Sequence, residues 1–123
     1  MSRILVIEDQ AMIRENIIEI LEFEGFDAIG AGDGQVGLTL ARQYRPDLIL
    51  CDILMPVLDG FGVLEGLRSD PELVAIPLIF LSAGANEEGI RQGMALGAND
   101  YLTKPFAPAD LVEVVRRWLE VKR

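Results

Sequence analysis

Short runs of consecutive apolar residues recur along this chain, and each closes on a polar side chain. Ile4-Leu5-Val6-Ile7 closes on Glu8 and Asp9, Leu48-Ile49-Leu50-Cys51 on Asp52, and Leu78-Ile79-Phe80-Leu81 on Ser82. Unbroken runs this short suit strands buried on both faces. Between them the apolar spacing lengthens to the helical period. The pattern predicts a strand at 3–8 and a helix at 11–24 carrying Ile13, Ile17, Ile20 and Leu21, with Gly25 ending it. A weaker strand at 26–30, bearing Asp27 and Gly30, reads as an edge, and Gly32-Asp33-Gly34 is a loop. A helix at 35–44, with Gly37, Leu40, Ala41 and Tyr44 on one face, ends before Pro46. After the strand at 48–51, a loop with Pro56 and Asp59-Gly60 leads to a short helix with Phe61, Leu64 and Leu67. Asp70-Pro71 opens another loop, followed by a strand at 77–82, a helix over roughly 87–96 and a strand near 100–103. The last helix has the clearest signature, with Leu111, Val114, Val115, Trp118 and Leu119 at i, i+3, i+4, i+7 and i+8.

Five strands alternating with five helices indicate an α/β fold: a parallel sheet covered on both faces. Right-handed crossovers make it a doubly wound three-layer sandwich. The 123 residues suggest a single domain over 1–123, without repeat or linker. Half the residues are apolar and a quarter charged, the balance of a folded globular chain. No apolar stretch approaches the ~18 residues of a membrane span, and the N-terminus lacks the features of a signal peptide. The lone Cys51 cannot form an internal disulfide, so a reducing, cytoplasmic setting is expected, with the thiol serving as a small apolar strand residue. A net charge of −9 argues against nucleic-acid binding by this domain's own surface. Histidine is absent, which excludes Ser-His-Asp hydrolysis and histidine metal sites.

In open α/β sheets the carboxyl ends of the strands share one edge, where ligands bind. That edge would gather Glu8, Asp9, Asp52, Ser82 and Lys104, the last following Tyr101-Leu102-Thr103. Clustered carboxylates repel one another, and a hard divalent cation with oxygen ligands relieves them. Two readings of Glu8-Asp9 stand side by side: cation ligands, or acids that merely cap the first helix. Asp52 tips the balance toward the cation, because an acid ending a buried strand has little structural reason to be there. A carboxylate can also accept a phosphoryl group as an acyl phosphate. Lys104 would offer positive charge to one phosphoryl oxygen and Ser82 a hydrogen bond to another. Taken singly, Ser82 reads as a turn residue and Lys104 as a solvated lysine; their joint placement carries the signal. Lys104-Pro105 is a candidate cis peptide, with the tight turn aiming the lysine back over the sheet edge.

With these residues located, the chain resembles a receiver domain of the response-regulator family of two-component systems. The resemblance spans essentially the whole chain through Ile7-Glu8-Asp9, Asp52-Ile53-Leu54-Met55-Pro56 with Asp59-Gly60, Leu81-Ser82-Ala83, Gly97-Ala98-Asn99-Asp100-Tyr101 and Lys104-Pro105-Phe106. It implies a flavodoxin-like five-stranded sheet in the order 2-1-3-4-5. It further implies Asp52 as phosphoacceptor and a Mg²⁺ (or Mn²⁺) ion held by Glu8, Asp9, Asp52 and the backbone carbonyl of Leu54. Ser82 and Lys104 would hold the phosphoryl group, and Ser82 and Tyr101 would form a switch that alters the surface of the fourth helix, fifth strand and fifth helix. The implied partners are a sensor histidine kinase or histidine phosphotransfer protein and a downstream effector, with no nucleic acid or membrane contact by this domain. The chain would catalyse only its own phosphorylation and dephosphorylation. Glu-Asp replaces the commoner Asp-Asp pair, a frequent variant. Leu54 and Gly84, two residues past Asp52 and Ser82, stand where side chains influence how water reaches the acyl phosphate.

Other classes fit less well. Aspartate-nucleophile phosphohydrolases place their nucleophile after the first strand in an Asp-x-Asp pattern, which Glu8-Asp9-Gln10 does not match. A flavodoxin-like cofactor carrier needs a phosphate cradle where this chain has the acidic Glu8-Asp9-Gln10-Ala11. A degenerate receiver acting as a constitutive binding module would not keep every site position filled.

Overall fold

In a computed structural model, secondary structure is described for residues 2–83 and 87–122, and side chains for residues 2–83 and 87–120. Strands and helices alternate: β1 (Arg3–Ile7), α1 (Ala11–Phe23), β2 (Asp27–Ala31), α2 (Gly34–Tyr44), β3 (Leu48–Asp52), α3 (Gly60–Arg68), β4 (Leu78–Ala83), α4 (Glu87–Ala95), β5 (Asp100–Lys104) and α5 (Pro108–Lys122). The five strands form one parallel sheet in the order β2-β1-β3-β4-β5. Gly84, weighed above for its effect on water access, lies outside the described residues.

The two-sided burial of the strands follows from period-2 alternation. Leu5, Ile7, Ile49, Cys51, Leu78 and Phe80 join residues of α2 and α3 in one core layer. Ile4, Val6, Leu48, Leu50, Ile79 and Leu81 join Ile17 and Leu21 of α1 and Leu111, Val114 and Val115 of α5 in the other. A strand feeding two layers has no polar face, which explains the unbroken apolar runs.

Local signals set the ends of the elements. Gly25, at φ +91°, ends α1: its N–H donates to the Glu22 carbonyl and the Phe26 N–H to that of Leu21, a paired closure that needs a left-handed residue. Asp33 and Asp59 cap α2 and α3, their Oδ1 atoms accepting from the N–H groups of Val36 (2.8 Å) and Gly62 (2.9 Å). One helix face differs from expectation. The buried stripe of α2 is Gly34, Gly37, Leu38 and Ala41, not a stripe running to Tyr44. The two glycines let the helix lie close to its neighbours, which turns Leu38 inward. Tyr44 stays exposed with the Arg3 guanidinium 5.3 Å from its ring centre.

Candidate functional site

Strand register assembles the site. Ile7 pairs with Cys51, Asp52 with Leu81, and Ala83 with Lys104, so Glu8, Asp52, Ser82 and Lys104 reach the same end of four adjacent strands or the loops leaving them. Glu8, Asp9 and Asp52 each offer a carboxylate oxygen within 4.8 Å of the others. Glu8 is 0% exposed and Asp52 9%, while Asp9 is the most accessible of the three. Lys104 bridges two of them, its Nζ 2.6 Å from Glu8 Oε1 and 3.2 Å from Asp52 Oδ1.

Neither acid of the pair is the N-cap residue of α1. The N-cap of α1 is Gln10, which makes no side-chain cap bond. Glu8 instead points across the sheet edge: its Oε1 accepts from Lys104 and its Oε2 from the Gln10 N–H (3.2 Å). The cluster is therefore a tertiary feature with three hard oxygen donors and no nitrogen or sulfur ligand, a set that suits Mg²⁺ or Mn²⁺.

Electrostatics agree with that chemistry. Partial desolvation, then the hydrogen bond and negative charge of Glu8, raise the Asp9 carboxyl above 3.8. Burial alone would lower the Lys104 ammonium, but its hydrogen bond to Glu8 and the charges of Asp52 and Glu8 prevail and raise it above 10.5. Burial, reinforced by the charges of Asp52, Glu8 and Asp59, pushes the Cys51 thiol well up, so it stays protonated. Its Sγ donates to the Asp52 carbonyl at 3.2 Å, a structural contact.

The remaining candidates sit on β4, β5 and the loop after β3. The Ser82 hydroxyl is buried and donates to the Ala83 carbonyl (3.1 Å). Tyr101 pairs with Phe80 across β4 and β5, and its side chain is 43% exposed. Leu54 follows β3 in the loop, 70% exposed. The Lys104–Pro105 peptide is cis. A groove of about 1090 Å³ lies elsewhere, between α1 and α5, lined by Ile20, Phe23, Val112 and Arg116 among others, and shares no residue with the cluster.

Sequence reading passed over two neighbours of the site. Arg14 donates from Nη1 to the Glu8 carbonyl at 2.7 Å. Val57, in the loop after Asp52, has φ +72°, and the Leu58 N–H reaches the Pro56 carbonyl at 2.8 Å across it. That is a tight three-residue turn in a conformation β-branched residues rarely take. A carbonyl partner leaves no trace in sequence, and a valine gives no hint of a left-handed residue.

Residues 4–116 match the family described as "Response regulator receiver domain". The chain belongs to that family. This receiver domain is 40% identical over 115 residues to the DNA-binding response regulator MtrA of Mycobacterium tuberculosis, covering 94% of this chain and 49% of the relative. It is 41% identical over 119 residues to the DNA-binding dual master transcriptional regulator RpaA of Synechocystis, covering 97% and 49%. It spans about half the length of the curated relatives it matches. Among solved structures, the receiver domain of the Francisella response regulator 1452 superimposes with TM-score 0.91 at 33% identity, covering 100% of both chains. The Vibrio cholerae chemotaxis protein CheY4 does so with TM-score 0.90 at 31% identity, covering 95% of this chain and 98% of that one. The receiver thus belongs to two-component signalling. Among the described residues no helix is long and apolar enough to cross a membrane.

Proposed function

We propose that this receiver is a phosphorylation-dependent switch with Asp52 as its phosphoacceptor. One observation carries the reading: Asp52 stands within carboxylate reach of Glu8 and Asp9 while Lys104 bridges it to Glu8. Glu8, Asp9, Asp52 and the Leu54 carbonyl would hold Mg²⁺ (or Mn²⁺), which when bound supplies the positive charge that lets an anionic phosphoryl group approach three acids.

The donor is a histidine kinase or a histidine phosphotransfer protein, since this chain has no histidine of its own. A carboxylate oxygen of Asp52 attacks phosphorus in line with the scissile P–N bond. That bond breaks, its electron pair returns to the imidazole, and the imidazole takes up a proton. Phosphoryl transfer asks a protein chiefly for positioning and charge stabilisation. Lys104 moves its ammonium from Glu8 to a phosphoryl oxygen, and the Ser82 hydroxyl turns from the Ala83 carbonyl to donate to another. Tyr101 then turns inward, and the surface of α4, β5 and α5 changes for a downstream effector. Hydrolysis of the acyl phosphate returns Asp52 and inorganic phosphate.

Mass spectrometry after incubation with acetyl phosphate and Mg²⁺ tests this. One phosphoryl group is expected on the wild-type chain and none on Asp52→Asn. An unmodified wild type, or equal labelling of both proteins, would overturn the assignment.

A further inference from the structure

We infer that Arg14 is a positioning residue for the acidic cluster, acting through the main chain of Glu8. The inference rests on the reading of that cluster as a Mg²⁺ site. Residue 8 is held at both polar ends: its N–H donates to the Ala31 carbonyl at 3.0 Å, and its carbonyl accepts from Arg14 Nη1 at 2.7 Å. The Glu8–Asp9 peptide is planar, so a fixed carbonyl also fixes the plane from which Asp9 departs. The Arg14 main-chain N–H donates to the Gln10 carbonyl at 2.9 Å, the ordinary first bond of α1, which any residue there would make. With no side-chain cap on Gln10, the guanidinium is the side chain that ties the start of α1 to the segment carrying both acids.

The arginine reaches that carbonyl over β2, where the strand has no side chain. A Cβ on Gly30 would lie 3.1 Å from Arg14 Cδ, 3.3 Å from its Cγ and 2.9 Å from Ile18 Cδ1. A Cβ on Gly32 would lie 3.5 Å from Arg14 Nη1. Glycine weakens a strand interior and often marks a close approach of another group. Here Ile18 Cδ1 comes nearest and the arginine stem lies beside it, so the bare strand at Gly30 leaves room for both. Groups behind the ligands commonly set metal affinity by orienting them.

Isothermal titration with Mg²⁺, amide NMR shifts in EDTA and urea unfolding in EDTA together test this on the full chain. Arg14→Met should weaken Mg²⁺ binding about 10-fold and move the Asp9 and Gln10 amide resonances. Gly30→Ala should weaken binding in the same sense. The double variant should bind no more weakly than Arg14→Met alone, because both changes break one grip. A merely structural arginine would shift the urea midpoint and leave Mg²⁺ affinity in place. Affinity within twofold of wild type in Arg14→Met, or additive losses in the double variant, would overturn the inference. A wild type that binds no Mg²⁺ sinks the metal reading instead; the grip is then judged on the metal-free Asp9 and Gln10 shifts, and unmoved resonances refute it.

Discussion

Replacing Lys104 with methionine removes the cation that contacts both buried acids, Glu8 and Asp52, while keeping much of the side chain's length. At 2.6 and 3.2 Å and an effective dielectric of about 20, the two attractions are worth about 6 and about 5 kcal/mol before desolvation. Desolvation cancels most of that, yet breaking such a pair by removing one partner still costs about 3–5 kcal/mol, because a buried charge is left uncompensated. The Lys104 side chain is 22% exposed, so the lower end applies: about 3 kcal/mol lost in EDTA at pH 7. The sign with pH follows from the raised lysine. Its contribution is fully present below 10.5, the unfolded value, and is lost as pH climbs through the higher folded value. The gap between wild type and variant should therefore hold from pH 7 to 9 and close only as pH climbs through the folded value, above 10.5. Mg²⁺ at ten times the wild-type dissociation constant stabilises the wild type by about 1.4 kcal/mol. The variant should bind it more tightly, having lost a competing cation, so the gap narrows when Mg²⁺ is added. Urea unfolding followed by far-UV circular dichroism measures each quantity. A variant within 0.5 kcal/mol of wild type in EDTA, or a gap that widens with Mg²⁺, would refute the view that Lys104 neutralises a buried acid.

Substitutions at three further positions probe the frame around the site. Val57→Gly relieves a left-handed β-branched residue and should stabilise by about 1 kcal/mol after glycine's entropic cost; a lower urea midpoint would contradict the strain. Arg68 donates to the carbonyls of Val74, Ile76 and Gly97 and to Asn99 Oδ1. Arg68→Met should cost about 2–3 kcal/mol, and Arg68→Lys should recover only part of it, since one ammonium cannot reproduce the planar fork; full recovery in thermal unfolding would argue against that geometry. Asp33→Ala removes the α2 cap and should cost about 1 kcal/mol, a loss that Asp33→Ser largely reverses.

Element positions were legible because burial on both sheet faces writes itself as unbroken apolar runs, and amphipathic helices as a 3.6 period. On α2 the pattern places Gly37, Leu40 and Ala41 inward, as the structure does, but not Gly34 and Leu38, and it wrongly includes the exposed Tyr44; a glycine at a close approach leaves no hydrophobic residue to count. The acids at 8 and 9 could not be divided between capping and ligation from sequence, since both uses favour carboxylates at a helix start. The structure makes Gln10 the N-cap of α1 and joins Glu8 to a lysine 96 residues away, contacts that the local sequence does not encode. Arg14 and Arg68 stayed hidden for a related reason. Their partners are largely main-chain carbonyls, which every residue possesses, so no pairing pattern could announce them.

That long-range contact joins the first strand of the chain to the last one of the sheet. Among the described residues β5 is an outer strand paired with β4 alone, and it delivers the cation that meets Glu8, the residue just past β1. Charge balance at the cluster is therefore a property of the finished sheet: until β5 docks, the growing chain carries the acids uncompensated. Fraying of this edge and the ionic state of the cluster become a single equilibrium. A new anion on Asp52 that drew Lys104 harder would tighten the edge strand, and slower exchange of the β5 amides with solvent would record it.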